Sequence, residues 1–358
     1  MRINKESFTK SQFEFVDDFI RRPGERYVYG RTQEGASVAK EIAIDGFIDD
    51  FTSDKSFIGI PCIRLEHVPR TARIVSAVVQ AYPITVTRRL KSQNFEFIDY
   101  FAFKSISKFP LMEIPYWIGA QEHFVANNKK YSNVYENLVD KESKEVFERI
   151  INFRLNYDLS EMESFSTNLK GMYFESFLKL PKDGGVFFDI GAFDGYNSEN
   201  FFQLYPNMGM AVLFEPIPTQ ANLLLEQFKS RSNFKIFELA ISNGDGVVKF
   251  NVDSTASHLS KDGTGIAVRT NSLDTFCDYY NYQPDFIKMD IEGSEIRAIK
   301  GAVQTIGKFK PNLAISVYHD VSHLTEAYEL ISKIYPAYTF YLRHYTEGYT
   351  ETVLFAVP

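Results

Sequence analysis

Val186-Phe-Phe-Asp-Ile-Gly-Ala-Phe-Asp-Gly-Tyr196, followed at 210–216 by Met-Ala-Val-Leu-Phe-Glu-Pro, is the stretch that decides the fold. The apolar run Val186 to Ile190 ends in a glycine turn, as a buried parallel strand feeding a helix does. Gly191 and Gly195 tolerate the dihedrals of such a turn and leave open space beside the backbone. Met210 to Phe214 reads as a second buried strand, closed by Glu215. An acid at that strand tip can accept both hydroxyls of a ribose.

The choice of nucleoside follows from the loop. A dinucleotide fingerprint needs G-x-G-x-x-G, with free backbone N–H groups for a pyrophosphate. Here the pattern is Asp189-x-Gly191-x-x-x-Gly195, with Asp194 inside the loop. A carboxylate repels a pyrophosphate but suits a sulfonium or an ammonium group, so the loop favours S-adenosylmethionine over NAD. The plainer alternative is an α/β turn with no ligand.

A length of 358 residues fits two domains, each able to bury a core. A net charge of −7 argues against sequence-independent nucleic-acid binding, which needs a basic face. Cys62 and Cys277 lack metal-ligand spacing, which points to a reduced, cytoplasmic protein. The N-terminus has no signal-peptide core, and no stretch reaches the length of a membrane span.

Along the chain, residues 6–21 space their apolar side chains as an amphipathic helix. Arg26–Gly30, Gly46–Asp50, Ile74–Ala77 and Phe97–Phe101 read as short strands, with a helix after the Gly30 turn. This predicts a small Rossmann-like α/β domain at 1–115. Gly30, Gly35, Asp49 and Asp50 offer it a place for a nucleotide-type ligand, with a purely structural domain as the alternative. A helical connector is expected at 116–180, with Trp117 as core or as a sugar-stacking face. Domain 181–358 shows strands at 186–190, 210–214, 234–238, 286–289, 313–317, 338–342 and 352–356, with helices such as 218–230 and 293–306 between most of them. A short turn, 345–350, joins the last two as a hairpin. A doubly wound seven-stranded sheet with an antiparallel last strand is the layout of the class I methyltransferase fold. Residues 247–266 form an insertion with a hairpin-like segment and a Ser/Thr/Gly loop.

Lys288-Met-Asp290-Ile-Glu292-Gly293-Ser-Glu295 follows the fourth strand of this domain. If strand geometry continues past Met289, Asp290 and Glu292 face the same side. The cleft of a doubly wound sheet lies beyond the strand carboxyl ends, which should put Asp189 and Asp290 along it. Glu295 reads as an acid decorating a helix N-terminus. His319 follows the fifth strand, within reach of Asp290 and Glu292, and is the expected base for an alcohol proton. The two acids and His319 also suit a divalent metal, but methyl transfer needs none, so no metal ligand is assigned. His344 could reach an acceptor from the hairpin, and His323 looks solvated.

The segments 189–195, Phe214-Glu-Pro216, Leu239-Ala-Ile-Ser242, 287–295, Lys300-Gly-Ala302 and Lys310-Pro311 resemble the motifs of the FkbM-type methyltransferases. The resemblance covers about 186–358. It implies S-adenosylmethionine-dependent O-methyl transfer, with Asp189, Gly191, Gly195 and Glu215 around the cofactor, and Ala192, Asp194, Pro216, Ala240 and Asp290 are expected beside them. It also implies Asp290 and Glu292 at the reaction site. The stretches 315–319, 343–345 and 351–353 resemble a branch with an N-terminal Rossmann-like region, linked to sugar modification. Asn243 departs from the pattern, which commonly has an acid there, and this bears on the adenine contact. The expected acceptor is a sugar hydroxyl of a surface polysaccharide or its nucleotide-linked precursor. An NAD-dependent sugar oxidoreductase or epimerase and a non-catalytic glycan-binding protein are the rival readings.

Overall fold

The computed structural model describes residues 1–4, 8–22, 24–207, 209–252, 257–259 and 264–358. The first two residues of the helix expected at 6–21, and most of the Ser/Thr/Gly loop of the insertion, lie outside the described residues. Contacts divide the chain into two compact units. One comprises Met1–Val125, Glu145–Thr167 and Tyr345–Thr350, and the other Ala126–Lys144, Asn168–His344 and Glu351–Pro358. The stretch 116–180 is therefore shared between the units.

The first unit starts with α1 (Lys10–Arg21), which buries Val16 and Phe19 and is closed by a capping box at Thr9. Its strands are β1 (Arg26–Tyr29), β2 (Gly46–Ile48), β3 (Ser56–Phe57), β4 (Ile60–Ile63), β5 (Arg73–Ser76) and β6 (Glu96–Asp99), in the order β3-β4-β2-β1-β5-β6. All neighbours pair in parallel except β3 with β4. The helices α2 (Gln33–Glu41), α3 (Pro83–Ser92) and α4 (Tyr100–Ser107) complete a Rossmann-like unit. The strand expected through Phe101 stops at Asp99, whose carboxylate caps α4 by accepting from Ala102 N at 3.0 Å.

The four residues singled out in this unit are satisfied within it. A Cβ on Gly35 would lie 2.7 Å from the Gly30 carbonyl oxygen, so α2 packs there on backbone. Asp49 accepts from Arg31 at 2.9 Å. Asp50 accepts from Tyr29 at 2.7 Å and pairs with Arg89 at 2.7 Å. Trp117 is core: it is 3% exposed and packs on Phe101, Phe153, Tyr157 and Tyr349.

Three helices, α5 (Ala120–Ala126), α6 (Asn128–Asn137) and α7 (Lys141–Asn156), precede the second sheet. That sheet contains β7 (Val186–Ile190), β8 (Met210–Phe214) and β9 (Phe234–Phe237). After the strands β10 to β13 described below come β14 (Phe286–Met289), β15 (Asn312–Ser316), β16 (Thr339–His344) and β17 (Thr352–Val357). The order is β16-β17-β15-β14-β7-β8-β9, parallel except for β17, which runs antiparallel to both neighbours. All seven expected strands form. Both faces of the central strands are buried, which is why β7, β8, β14 and β15 are mostly apolar without alternation, with Asp189 and Lys288 as a buried ion pair among them. Phe188, Phe214, Phe237 and Phe276 meet edge to face or stacked, so much of the aromatic content is core.

Between the strands lie α8 (Tyr196–Leu204), α9 (Pro218–Phe228), α10 (Leu273–Tyr280), α11 (Glu295–Lys300), α12 (Val303–Phe309) and α13 (His323–Ile334). The single helix expected at 293–306 is two, α11 and α12. At the break, a Cβ on Gly301 would lie 2.1 Å from the Ser242 carbonyl oxygen. The insertion is larger than a hairpin: β10 (Ala240–Ser242), β11 (Gly246–Val252), β12 (Ser257–Leu259) and β13 (Ile266–Ser272) form a four-stranded sheet ordered β10-β13-β11-β12.

Candidate active site

A cleft opens at the carboxyl ends of β7, β8 and β14. Gly191, Ala192 and Asp194 line it from the first loop, Glu215 and Pro216 from the β8 tip, and Asp290 and Glu292 from the loop after β14. Ala240, Ile241, Val248, Phe250 and Thr270 of the small sheet supply a largely apolar wall. The sequence reading had assigned only Ala240 of that wall.

Two expected cofactor contacts sit elsewhere. Asp189 is fully buried behind the cleft, where it accepts from Ser198 Oγ at 2.6 Å and pairs with Lys288 Nζ at 3.0 Å. Lys288 also donates to the Gly191 carbonyl oxygen at 2.7 Å. Burial alone would lower the Lys288 pKa, but Asp189 and Asp290 hold it raised. The Asp189 charge is thus cancelled by a lysine, and its work is to brace the loop. Gly195 (φ +76) starts α8 in the left-handed conformation that favours glycine, and a Cβ there would also lie 2.7 Å from Leu224 Cδ2.

Glu215 faces the cleft with its carboxylate held on both oxygens, accepting from Phe193 N and Ile217 N at 2.9 Å each. Each oxygen keeps a lone pair for a further donor. Burial pushes its pKa up to about 7 against those two N–H groups and Lys288.

Beside the loop after β14 lies a cluster of acids around one imidazole. Strand β14 stops at Met289, and Glu292 (φ +52) and Gly293 (φ +95) turn the chain. Asp290 and Glu292 converge through this turn instead of through strand alternation. His319 Nε2 lies 3.6 Å from Asp290 Oδ1 and 3.4 Å from Glu292 Oε2. Its Nδ1 is 3.0 Å from Glu295 Oε1. Burial alone would lower the His319 pKa, but Glu295, Asp290 and Glu292 override it and push it up to about 10. At neutral pH the ring is an imidazolium, which cannot act as the base expected there.

Glu295 is fully buried, not a solvated helix decoration, and also approaches His323 Nδ1 at 3.4 Å. His323 is buried as well, and burial lowers its pKa. His344 is tied to Thr352 Oγ1 at 2.9 Å inside the β16–β17 hairpin. Tyr173 donates to Asp290 Oδ2 at 2.8 Å. Glu351 lies against Tyr318 at 3.3 Å, and burial and Asp290 push it up to about 8. Sequence patterning could not find Tyr173 in its irregular segment, and Glu295 carried only the signal of a helix start.

Asp290, Glu295 and His319 bring ligand-type atoms within 4.8 Å of one another. His319 Nδ1 is within hydrogen-bonding distance of Glu295, while Nε2 faces Glu292 and Asp290 at 3.4 and 3.6 Å, a set of donor atoms of the kind a divalent cation takes.

The strand order with its antiparallel β17, and a cleft at the carboxyl ends around β7 and β14, define a class I methyltransferase fold. Residues 189–342 match the profile described as the methyltransferase FkbM domain. A methyltransferase FkbM from Methylobacillus flagellatus KT has the same fold at a TM-score of 0.75, covering 97% of this chain and 93% of that one at 20% identity. The 2-O-methyltransferase NoeI of Sinorhizobium fredii (strain NBRC 101917 / NGR234) is 32% identical over 152 residues, or 36% of this chain. The match spans 62% of the length of that relative. Among the described residues no helix is long and apolar enough to cross a membrane.

Proposed function

We propose that this protein transfers a methyl group from S-adenosylmethionine to a hydroxyl, on a sugar of a surface polysaccharide or its nucleotide-linked precursor. The observation that carries the reading is the donor set of the cleft. Glu215 stands ready for ribose hydroxyls, the small sheet offers an apolar wall for a base, and acids border the reaction end. Such a lining suits a cationic donor and opposes a pyrophosphate. The similarity to a 2-O-methyltransferase supports oxygen as the acceptor atom.

S-adenosylmethionine supplies an electrophilic methyl group on a leaving sulfonium. Gly191, Ala192, Asp194, Glu215, Pro216 and Ala240 would hold it. The acceptor oxygen gains the methyl group and gives its proton to Asp290, the cleft carboxylate with a fixed orientation. Glu292 flanks the same point. His319, as a buried cation, keeps the two carboxylates together without itself taking the proton. Alignment of acceptor and donor supplies much of the rate.

Calorimetric titration with S-adenosylhomocysteine and with NAD separates this reading from the oxidoreductase one. Binding of the first and not the second is expected, and the reverse would overturn it. Mass spectrometry of surface polysaccharide from cells with and without the gene tests the acceptor. Loss of one methylene mass per modified sugar is expected, and an unchanged glycan removes that acceptor.

A further inference from the structure

We propose that Tyr173 is the positioning residue of the reaction, fixing the carboxylate of Asp290 toward the cleft. The inference rests on the methyl-transfer reading of this site. Tyr173 lies in an irregular segment and adopts φ +71, a conformation that an aromatic L-residue rarely takes. Its side chain is fully buried, yet the hydroxyl is aimed at a carboxylate that is 20% exposed in the cleft. The hydroxyl donates to Asp290 Oδ2 at 2.8 Å and lies 3.0 Å from Ser316 Oγ. A phenol has one proton, so Ser316 must be the donor in the second bond. Ser316 ends β15 and Asp290 follows β14, so one hydroxyl ties the tips of two neighbouring strands at the cleft.

The other groups facing Asp290 pull in different directions. Lys288 and His319 are cations, and Glu292 and Glu351 are acids. Tyr173 holds Asp290 Oδ2 through a direct hydrogen bond at 2.8 Å and so sets the direction of that oxygen. A phenylalanine would fill the same space, and Ser316 alone would satisfy a phenol, so core packing does not account for the bond to Asp290.

The test is Tyr173→Phe. The expected result is a kcat for methyl transfer lowered about 10- to 100-fold, the cost of a small misplacement of a reacting group. KM for S-adenosylmethionine and Kd for S-adenosylhomocysteine should stay within about twofold, with binding driven by contacts the variant keeps. The acceptor probe is unmethylated glycan extracted from cells lacking the gene. Crystals of both proteins with S-adenosylhomocysteine should show the Asp290 carboxylate turned in the variant. Unchanged kcat with Asp290 unmoved overturns the inference. A wild-type protein that binds S-adenosylhomocysteine but methylates no glycan overturns the acceptor reading instead, and the crystal comparison then decides for Tyr173. If Tyr173→Phe does not fold, Ser316→Ala carries the test: it frees the phenol from its second anchor and should lower kcat severalfold at unchanged KM. An unaltered kcat there sinks the inference.

Discussion

His319 and Glu215 carry opposite lessons about burial. His319 is buried with Glu295, Asp290 and Glu292 around it, and its pKa is raised from about 6.5 to about 10. The folded state therefore holds this proton more tightly than the unfolded chain. That contribution to stability is complete below about pH 6.5 and is lost as pH rises through about 10. Thermal melting followed from pH 6.5 to 10 should show a falling midpoint. His319→Asn should flatten that dependence and cost about 3–5 kcal/mol at pH 7, because the acids lose their cation. An equally steep profile in the variant would refute the assignment. Glu215 is pushed up to about 7 mainly by burial. Hydroxyl donors prefer its ionised form, so S-adenosylhomocysteine affinity should rise between pH 6 and 8. Glu215→Gln should weaken binding about 10- to 100-fold, the loss of charged hydrogen bonds worth roughly 1.5–3 kcal/mol, and remove the pH dependence in calorimetry. Both residues could be singled out in the sequence as site candidates. Their protonation could not be, because it depends on Glu295 and on two backbone N–H groups that only the folded chain brings near.

At the scale of elements, the strands of the second sheet were legible because buried parallel strands are continuous apolar runs between turns. The turn after β14 was not. Asp290 and Glu292 meet through left-handed residues, which strand alternation cannot anticipate. The small sheet was half legible: its hairpin shows in the sequence, but the pairing of β10 with β13 joins residues 30 positions apart. The loops after β7 and β14 are also in backbone contact. A Cβ on Gly191 would lie 1.9 Å from the Asp290 carbonyl oxygen, at φ +83. Gly191→Ala must therefore push the Asp290 loop away as well as strain its own turn. We expect at least a tenfold loss of S-adenosylhomocysteine affinity and a lower melting midpoint. Wild-type affinity in that variant would show that the two loops move independently.

For the whole molecule, the chain does not divide where its sequence motifs do. The family match begins at 189, yet the unit that contains it draws on Ala126–Lys144 and Asn168 onward. Arg343 in β16 is 7% exposed, and its guanidinium pairs with Asp140 at 2.7 Å and donates to Ser143 at 2.8 Å. Phe177 stacks on Tyr341 at 3.9 Å, and Val139 N donates to the Phe340 carbonyl oxygen at 3.0 Å. Tyr173 reaches Asp290 from the same early segment. A fragment of 181–358 keeps every strand of the sheet and every matched motif, but it loses all four of these attachments. A buried guanidinium without its carboxylate costs about 3–5 kcal/mol by itself, a large share of the stability of a typical domain. The fragment should therefore lack the near-ultraviolet circular dichroism of packed aromatic residues, melt without cooperativity, and bind S-adenosylhomocysteine at least tenfold more weakly than the full chain. Adding back 126–180 at its N-terminus should restore a cooperative transition, because those residues supply the Arg343 and Asp290 partners. A fragment of 181–358 that melts cooperatively and binds with full affinity would mean that the early segments decorate this unit and do not build it.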